Sequence, residues 1–572
     1  MITHRRRGQR RLSWPIRRWT ALITALATAV VAAVPGASTP AAAAVAYVPI
    51  AGVGSTWSAT AIDAWRANVA QYGMTVNYQA LGSTTGRNQF ANDSTDWAAS
   101  DIPYGVKDGT NNDSPPARPF AYMPDTAGGT TFMYNLHIGH VKITNLRLSG
   151  ATIAAIFTGQ IKNWNDSRIQ NDNPGLTMPA TKVVPVVRSD GSGATAQFTQ
   201  WMVATQPGLW NAYCAAVGRT PCTQTSAYPV LPGSSMVAQA GDLGVSGYVG
   251  QQQNDGTIGY VEYSYALLTG FPVAKVLNAA GYYTEPTAGH VAVSLLKAQI
   301  NMDQADPTKY LTQDLSQVYT NPDPRTYPLS SYSYMILPTA VDARVDTKKG
   351  FSLAAFGQYL LCQGQSGVDA LGYSALPINL VQAGFDQLKK IPGAGLGTLN
   401  IQSCNNPTFS TDGTNTLAKN DPQPQSCDHI GTTQCTTGTG GSANQSTPGK
   451  PGTSGTGAGG NGTAGAGGAG TNGAGGAGAA GGASATGTAD ANGQAVVCDP
   501  DTNSCTTAGG GLTGANANSA LAIPVSTAAT LSNGLQITLM VLAAVLLLGI
   551  GLAPPLISQV LARRRDRRAA TQ

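Results

Sequence analysis

The segment 188–195 carries the residues whose chemistry is easiest to interpret. It reads Arg-Ser-Asp-Gly-Ser-Gly-Ala-Thr, follows the apolar run 183–187, and precedes a helical pattern that includes Phe198 and Trp201. A strand therefore delivers a small loop to the N-terminus of a helix. Such a loop presents backbone N–H groups, the positive end of a helix dipole, a serine hydroxyl and a guanidinium group to one point, which suits a tetrahedral oxyanion. Glycine- and serine-rich turns also follow strands for purely structural reasons, so the interpretation depends on other segments.

Three further segments place small polar donors between a predicted strand and a predicted helix. They read Gly-Val-Gly-Ser-Thr-Trp (52–57), Leu-Gly-Ser-Thr-Thr-Gly (81–86) and Ala-Ser-Asp-Ile-Pro (99–103). Together with Arg188 they supply hydroxyls, N–H groups, one guanidinium and one acid, Asp101. A carboxylate beside an anion is unfavourable unless the ligand carries a proton, and hydrogen phosphate does. The four segments therefore predict a site for inorganic phosphate.

The elements that must position these segments form an α/β pattern. The chain from residue 46 reads as a strand, a turn, an amphipathic helix with Ile62, Trp65 and Val69 on one face, and an alternating strand with Val76 and Tyr78. Strands that alternate with helices predict a largely parallel sheet, whose ligands bind where strands end and helices begin. A folded region of about 46–400 exceeds one comfortable core, so we expect two lobes.

Catalysis and metal binding are alternatives that the sequence favours less. A phosphate-ester hydrolase would need a nucleophile with its base, or a metal-binding cluster of carboxylates and histidines, and the sequence shows neither. His137 and His140 lie three positions apart, but two ligands do not make a metal site, and solvated or hydrogen-bonded histidines are the simpler interpretation. We therefore expect a binding protein that is not an enzyme and has no cofactor or metal.

The two ends of the chain predict export and membrane attachment. Residues 1–18 contain seven arginines, 20–34 are apolar, and small residues follow at 42–44, which is the pattern of a signal peptide over residues 1–44. Residues 535–561 are almost wholly apolar and precede an arginine cluster, which is the pattern of a transmembrane helix with a cytoplasmic tail at 562–572. The expected location is the cell membrane, with one span, the N-terminal part outside and the C-terminus in the cytoplasm.

The charge balance argues against a nucleic-acid partner. The net charge is +5, but without the seven N-terminal arginines and the four net positive charges of residues 563–568 it becomes about −6. An anion must therefore be held by local geometry rather than by a basic surface.

The eight cysteines fit an exported chain with four disulfides. Three pairs lie seven or eight positions apart, and the remaining two residues pair by elimination. The predicted bonds are Cys214–Cys222, Cys427–Cys435, Cys498–Cys505 and Cys362–Cys404.

The composition changes abruptly after the folded region. Residues 437–494 are mostly Gly, Ala, Thr, Ser and Asn, with Lys450 and Asp490 as the charged residues, and such a segment buries too little apolar surface to fold. We predict a disordered, low-complexity Gly/Ala/Thr-rich stalk over residues 405–530. A glycine-rich coil of this length has a root-mean-square reach of roughly 60 Å.

In sequence order, residues 48–385 resemble the PstS family, the phosphate-specific substrate-binding proteins of ABC importers. The resemblance rests on the Gly-x-Gly-x-Thr-aromatic start and on seven further motifs. These are Val-Asn-Tyr-Gln-Ala-Leu-Gly-Ser (76–83), Ala-Ser-Asp (99–101), Ile-Phe-Thr-Gly-Gln-Ile-Lys-Asn-Trp-Asn-Asp (156–166), Asn-Pro-Gly-Leu (173–176), Arg-Ser-Asp-Gly-Ser-Gly (188–193), Gly-Tyr-Val-Glu-Tyr (259–263) and Leu-Gly-Tyr-Ser-Ala-Leu-Pro (371–377).

The resemblance implies a type II periplasmic-binding-protein fold, in which two α/β lobes close on the ligand about a hinge. Lobe one would comprise 46–125 and 327–400, and lobe two 126–326, with crossings near 126–135 and 327–331. The implied phosphate contacts are Thr56, the Trp57 backbone, Ser83, Asp101, Arg188, Ser192, Gly193 and Ala194, and Asp190 would orient Arg188.

Two substitutions depart from the family pattern. Ala194 stands where the family usually has threonine, which removes one hydroxyl donor and costs about tenfold in affinity, on the order of 1 kcal/mol. Trp57 stands in place of phenylalanine, which matters less because the contact is through the backbone. The implied function is phosphate binding for uptake by an ABC permease and ATPase. The stalk and membrane helix keep open the alternative of a membrane-anchored surface phosphate sensor or adhesin.

Overall fold

A computed structural model describes residues 47–105, 107–108, 111–447, 496–499 and 504–507. Residues 47–447 form the head domain. Strands 496–499 and 504–507 form a separate antiparallel hairpin, whose register places Cys498 opposite Cys505. The predicted signal peptide, transmembrane helix, cytoplasmic tail and most of the low-complexity tract lie outside the described residues.

The head alternates strands and helices, as the sequence pattern predicts. The strands are β1 (Ile50–Gly54), β2 (Val76–Ala80), β3 (Trp97–Ser100), β4 (Lys107–Asp108), β5 (Asn111–Asn112), β6 (Phe120–Asn135), β7 (His137–Ile138), β8 (Val141–Lys142), β9 (Arg147–Leu148), β10 (Val184–Arg188), β11 (Val237–Gln239), β12 (Thr257–Glu262), β13 (Val273–Leu277), β14 (Tyr283–Thr284), β15 (Gln299–Ile300), β16 (Gln313–Asp314) and β17 (Ser330–Pro338). The hairpin beyond the head comprises β18 (Val496–Asp499) and β19 (Ser504–Thr507).

The helices begin close to the predicted turns. They are α1 (Ala59–Val69), α2 (Ser83–Ala91), α3 (Gly150–Phe157), α4 (Ser167–Asp172), α5 (Gly193–Thr205), α6 (Pro207–Ala216), α7 (Gly241–Val249), α8 (Tyr263–Thr269), α9 (Ala288–Leu295), α10 (Ser316–Tyr319), α11 (Thr347–Leu361), α12 (Ile378–Leu388) and α13 (Thr416–Asn420). Helix α1 buries Ile62, Trp65 and Val69, the face that the sequence periodicity indicates.

One long sheet runs through both lobes in the order β11-β10-β12-β6-β17-β3-β1-β2. Strands β1, β2 and β3 pair in parallel in lobe one, and β10, β11 and β12 do so in lobe two. The two strands between these groups, β6 and β17, pair antiparallel. The parallel groups bring the carboxyl ends of their strands, with the polar segments of the sequence, toward the junction of the lobes.

Strand β6 is the main connection between the lobes. Its residues up to Gly129 pair with β17 in lobe one, and from Thr130 onward it pairs with β12 in lobe two. The change of partner therefore falls at Gly129 and Thr130. Strand β17 begins at Ser330 and supplies the return connection. The architecture is a two-lobe α/β fold of the periplasmic-binding-protein type.

Aromatic side chains form the core of each lobe. In lobe two Phe132, Phe157 and Phe198 pack with ring centroids 5.2–5.6 Å apart, and Tyr260 lies 5.1 Å from Phe198. In lobe one Tyr78 stacks on Trp97 at 5.3 Å.

The predicted start of the stalk, residue 405, is wrong. Residues 405–447 fold onto the head through hydrogen bonds rather than through a large apolar core. Arg147 donates to the carbonyls of Cys427 and Thr432 at 2.9 and 2.8 Å, and Lys275 donates to Asp428 at 2.8 Å. The polar composition of the segment does not predict this packing, because the segment replaces hydrogen bonds to water by hydrogen bonds to the rest of the head.

Three of the four predicted disulfides are confirmed within the head. They are Cys214–Cys222, Cys362–Cys404 and Cys427–Cys435. Among the described residues, no helix has both the length and the apolar character that crossing a bilayer requires.

Candidate functional site

The eight predicted contact residues converge where the two lobes meet, and all of them are buried. Lobe one contributes the turn after β1, the start of α2 and the end of β3. Lobe two contributes the loop between β10 and α5. The lobes touch closely: a Cβ on Gly82 would collide with Asp190, and one on Gly193 would collide with Asp101 and Ser83. Glycine at these two positions therefore permits the close approach.

Asp101 lies at the centre of the lobe-one half and accepts hydrogen bonds from three serines. Ser55 donates to Oδ1 at 2.6 Å, Ser333 to Oδ1 at 3.0 Å, and Ser83 to Oδ2 at 3.0 Å. Burial raises the pKa of Asp101 to about 6, although the serine hydroxyls oppose the rise. The carboxyl group is thus an acceptor whose ionisation is costly in the protein interior.

Arg188 is the cation of the lobe-two half and is 2 % exposed. Its Nε donates to Asp190 at 2.8 Å, a second nitrogen also contacts Asp190, and another donates to Asp242 at 2.5 Å. Burial alone would lower the pKa of Arg188, but the Asp242 and Asp190 carboxylates raise it above its usual range. The same guanidinium holds the pKa of Asp190 below its usual range, against the opposing effect of burial. Asp190 therefore orients Arg188, as the family resemblance implies.

Thr56 connects the two halves. Its hydroxyl donates to Asp242 at 2.5 Å and lies 2.7 Å from an Arg188 nitrogen that donates to it. The Thr56 hydroxyl of lobe one is therefore hydrogen-bonded to a carboxylate and to a guanidinium group of lobe two.

The N-terminus of α5 points its first turn at the same place. Ser192 is the N-cap, and its hydroxyl accepts from the Thr195 amide at 3.1 Å. The amide N–H groups of Gly193 and Ala194 lie in the first turn, so no carbonyl of the helix can accept from them. Gly193 brings this turn against Asp101. The arrangement presents N–H donors and a helix dipole to an acidic acceptor.

Three tyrosines fix the turn that holds Thr56. Tyr78 donates to the Ser55 carbonyl, Tyr265 to the Thr56 carbonyl and Tyr373 to the Trp57 carbonyl, each at 2.6 Å. The Trp57 amide donates to the Ser55 hydroxyl at 3.0 Å. Because three consecutive carbonyls each accept a hydrogen bond from a buried tyrosine, the protein itself fixes the backbone of this turn.

Sequence reasoning missed Asp242, Ser333 and the three tyrosines. Asp242 is fully buried and is the second residue of α7, which begins shortly after the strand β11. This is the same strand-to-helix signal that identified the Arg188 segment. Tyr373 belongs to a motif already quoted for the family resemblance. Ser333 lies within β17, and a serine inside a strand gives no sign of which acid it will meet.

Two further acids are buried beside the hinge. Burial raises the pKa of Asp125 on β6 and of Glu262 at the end of β12 well above their usual ranges. They lie within a site that already contains Asp101, Asp190 and Asp242. The described polar groups around Arg188 are hydroxyls, carboxyl groups and amides, which suit binding of an anion that still carries a proton.

His137 is hydrogen-bonded, with Nδ1 3.0 Å from Asp255. In the described part of the chain, no group of three or more His, Cys, Asp or Glu side chains has the geometry of a metal site.

The chain is similar to several known proteins. A family model described as "PBP superfamily domain" matches residues 36–363. The "Phosphate-binding protein PstS" of Xylella fastidiosa (strain Temecula1) is 31 % identical over 337 residues, covering 59 % of this chain and 83 % of that protein. The "Phosphate-binding protein PstS 2" of Mycobacterium tuberculosis is 30 % identical over 310 residues, covering 53 % of this chain and 76 % of that protein.

Among solved structures, one that is similar to this chain is a high affinity periplasmic phosphate-binding protein (PfluDING) bound with phosphate. The two chains are 20 % identical with a TM-score of 0.45, over 63 % of this chain and 97 % of that one.

Proposed function

Because the chain belongs to the PBP superfamily and to its PstS family, we propose that its head binds inorganic phosphate. Binding would take place outside the cytoplasm and serve uptake by an ABC importer. The observation that carries the proposal is the pairing of a buried acceptor, Asp101, with the N-terminus of α5 and Arg188. One face of the site donates hydrogen bonds and the opposite face accepts one.

A ligand for this site must accept several hydrogen bonds and donate one. Hydrogen phosphate meets both requirements. Its unprotonated oxygens can accept from the first-turn amides of α5 and, once the Ser83 and Thr56 hydroxyl protons turn away from Asp101 and Asp242, from these two hydroxyls as well. Its P–OH group can donate to Asp101. Sulfate, which is fully ionised near neutral pH, would face Asp101 with lone pairs only. The site therefore selects by protonation state rather than by size or net charge.

The acids explain why the donors must be so closely arranged. Arg188 is already paired with Asp190 and Asp242, so its positive charge is largely compensated before a ligand binds. Net charge then offers the ligand little attraction, and the affinity depends on directed hydrogen bonds from amides and hydroxyls in a water-excluded site.

The cellular arrangement is a further part of the proposal. We place the head outside the cell membrane, exported by residues 1–44, with residues 535–561 as a single membrane span and 562–572 in the cytoplasm. The apolar and basic patterns of the two ends support this arrangement. A permease and ATPase would receive the phosphate. The protein itself would carry out no chemistry on its ligand.

Isothermal titration of the purified chain with phosphate, sulfate and arsenate tests the proposal. We expect phosphate and arsenate to bind and sulfate to be rejected, because arsenate also carries a proton near neutral pH. Sulfate binding as tightly as phosphate would contradict the assignment of Asp101 as the selecting acceptor. Copurification with a permease and ATPase would favour an importer over a surface sensor.

A further inference from the structure

The segment after the second disulfide of the head connects the two lobes a third time. We call residues 405–421 the strap. At its start it is held to lobe one, because Cys404 is bonded to Cys362 in the turn after α11. Asn406 and Thr408 both donate to the carbonyl of Leu376, at 3.0 and 2.8 Å. The beginning of the strap therefore moves with lobe one.

The end of the strap is held to lobe two. Ala418 of α13 is 2 % exposed and packs with Ala292 and Val293 of α9. Arg325 donates to the carbonyls of Ala418 and Asp421, at 2.9 and 3.1 Å. The strap also lies so close to α9 that a Cβ on Gly289 would collide with Asp421. The strap thus docks tightly on both lobes.

The strap lies on the side of the hinge opposite the site. Adjacent residues of a strand face opposite sides of the sheet. On β6, a Cβ on Gly128 would meet Trp57 and Glu262, which belong to the site side, whereas one on Gly129 would meet Pro286 at the start of α9. Ala127 shares the face of Gly129, and the strap is docked on α9. We call this face the back of the hinge.

A cavity of about 170 Å³ lies at the back of the hinge, between the lobes. Lobe two lines it with residues of α9 and with Ala298, lobe one lines it with the start of α12, and the strap contributes Asn415. Ala127 of β6, Tyr332 of β17 and Ser374 of lobe one also line it. Its walls therefore belong to bodies that move relative to each other when the cleft opens.

We propose that the strap acts as a spacer behind the hinge: it fills space between the lobes there and thereby favours the closed cleft. Rotation about strands β6 and β17 that separates the front of the lobes must bring α9 and α12 together at the back. The strap occupies part of the space into which they would move, and the remaining cavity sets how far they can approach. Since atoms cannot overlap, filling the back of the hinge restricts opening at the front.

The strap is outside the segment that the family model matches, which ends at residue 363. The predicted effect of the strap on phosphate release rests on the proposed function. Its predicted effect on the distance between the lobes of the phosphate-free protein does not.

The first test undocks the strap. In Ala418→Glu a charge enters the apolar contact with α9, so α13 should leave the surface. Lys419→Glu, on the exposed face of the same short helix, is the matched control. We expect Ala418→Glu to release phosphate about fivefold faster than the parent and to widen the distance between the lobes in phosphate-free protein, because the closed population falls by a similar factor. The control should match the parent.

The second test fills the cavity and predicts the opposite sign. Ala298→Leu adds apolar volume to a cavity wall without touching the site. We expect about fivefold slower phosphate release and a narrower distance distribution in the phosphate-free protein. This variant decides the question even if Ala418→Glu fails to fold.

Release is measured by stopped-flow with a fluorescent phosphate sensor on the full chain. Lobe separation is measured by spin-label distances between non-natural residues at Val341 in lobe one and Val230 in lobe two, both of which are exposed. Unchanged release rates and distances in Ala298→Leu would overturn the proposal, and so would an Ala418→Glu variant that folds and behaves as the parent does. If the parent bound no phosphate, the proposed function would fail, while the phosphate-free distances would still test the strap.

Discussion

Replacing Asp101 by asparagine tests both the selectivity and the stability of the site. Oδ1 of Asp101 accepts from Ser55 and Ser333, and Oδ2 accepts from Ser83. Asparagine can keep its oxygen toward Ser55 and Ser333 and place its amide toward Ser83, whose hydroxyl can rotate to accept. The substitution therefore keeps the shape and hydrogen bonding of the site while it removes the negative charge.

The stability effect follows from the pKa of Asp101. Its folded value of about 6 is raised from 3.8, so ionising the buried group costs the native state roughly 3 kcal/mol at about 1.4 kcal/mol per pKa unit. A raised acid pKa leaves the native state unpenalised below pH 3.8 and reduces its stability as the pH rises through about 6. In the phosphate-free protein, Asp101→Asn should therefore be more stable than the parent above about pH 6, by up to roughly 3 kcal/mol. Near pH 4 the two should be nearly equal.

The binding effect has the opposite sign for the two anions. In the parent, sulfate leaves a buried carboxylate facing its lone pairs, which costs on the order of 1–3 kcal/mol or more. Asparagine can donate to either anion, so the variant should bind sulfate more tightly and phosphate no better. The ratio of phosphate to sulfate affinity should therefore fall by about tenfold or more.

Isothermal titration with both anions, and thermal melts of the phosphate-free full chain between pH 4 and 8, measure these effects. Asp63→Asn is the matched control, since Asp63 is an exposed aspartate of lobe one. If the affinity ratio and the pH profile of stability are both unchanged in Asp101→Asn, then Asp101 only caps its turn, and the selection mechanism is refuted.

Three other predictions follow from the site. Arg188→Ala should weaken phosphate binding at least about thirtyfold. The sequence alone predicts little change in folding stability, but the ion pairs of the structure predict a loss. Because Arg188 is the partner of both Asp190 and Asp242, its loss leaves two carboxylates without their cation, and urea denaturation should show a loss of about 3–5 kcal/mol. Arg66→Ala, which removes the cation of a partly exposed ion pair on α1, should show no such loss. Ala194→Thr should tighten phosphate binding by up to about tenfold in titration, whereas valine, which lacks the hydroxyl, should not. The purified chain should release no inorganic phosphate from p-nitrophenyl phosphate in a colorimetric assay, and release that a chelator abolishes would contradict a pure binding role.

The parts of the site that sequence predicts are those with a local signal. Arg188 ends a strand that leads to a helix, and Asp101 directly follows β3, so the position of both residues at the edge of the sheet follows from the pattern around them. The element after Asp101 is the short strand β4 rather than the helix that the sequence predicts. Asp242 follows a strand of only three residues, too short to stand out from a loop. The register that brings Ser333 to Asp101 depends on β17 pairing with β3, two elements more than 200 positions apart. Long-range pairing of this kind is set by packing of the whole sheet, which no local window contains.

The stalk boundary failed for a different reason. Composition measures how much apolar surface a segment can bury, and residues 405–447 can bury little. These residues are held instead by hydrogen bonds such as those from Arg147 to Cys427 and Thr432, and the Cys427–Cys435 disulfide closes a loop within them. Such contacts form only against an already folded surface. The composition of a segment therefore does not reveal whether a neighbouring domain will hold it in place.

Division of the site between the lobes links affinity to closure. Asp101 and Ser83 come from lobe one, whereas Arg188 and the start of α5 come from lobe two, so the complete set of partners exists only when the lobes meet. The apparent dissociation constant is then the intrinsic one divided by the closed fraction. By filling space behind the hinge, the strap raises the closed fraction, which increases the affinity for phosphate without adding any contact to the ligand. The same bias slows release by keeping the cleft shut, so a transporter that takes phosphate from this head must supply the energy that compresses the back of the hinge.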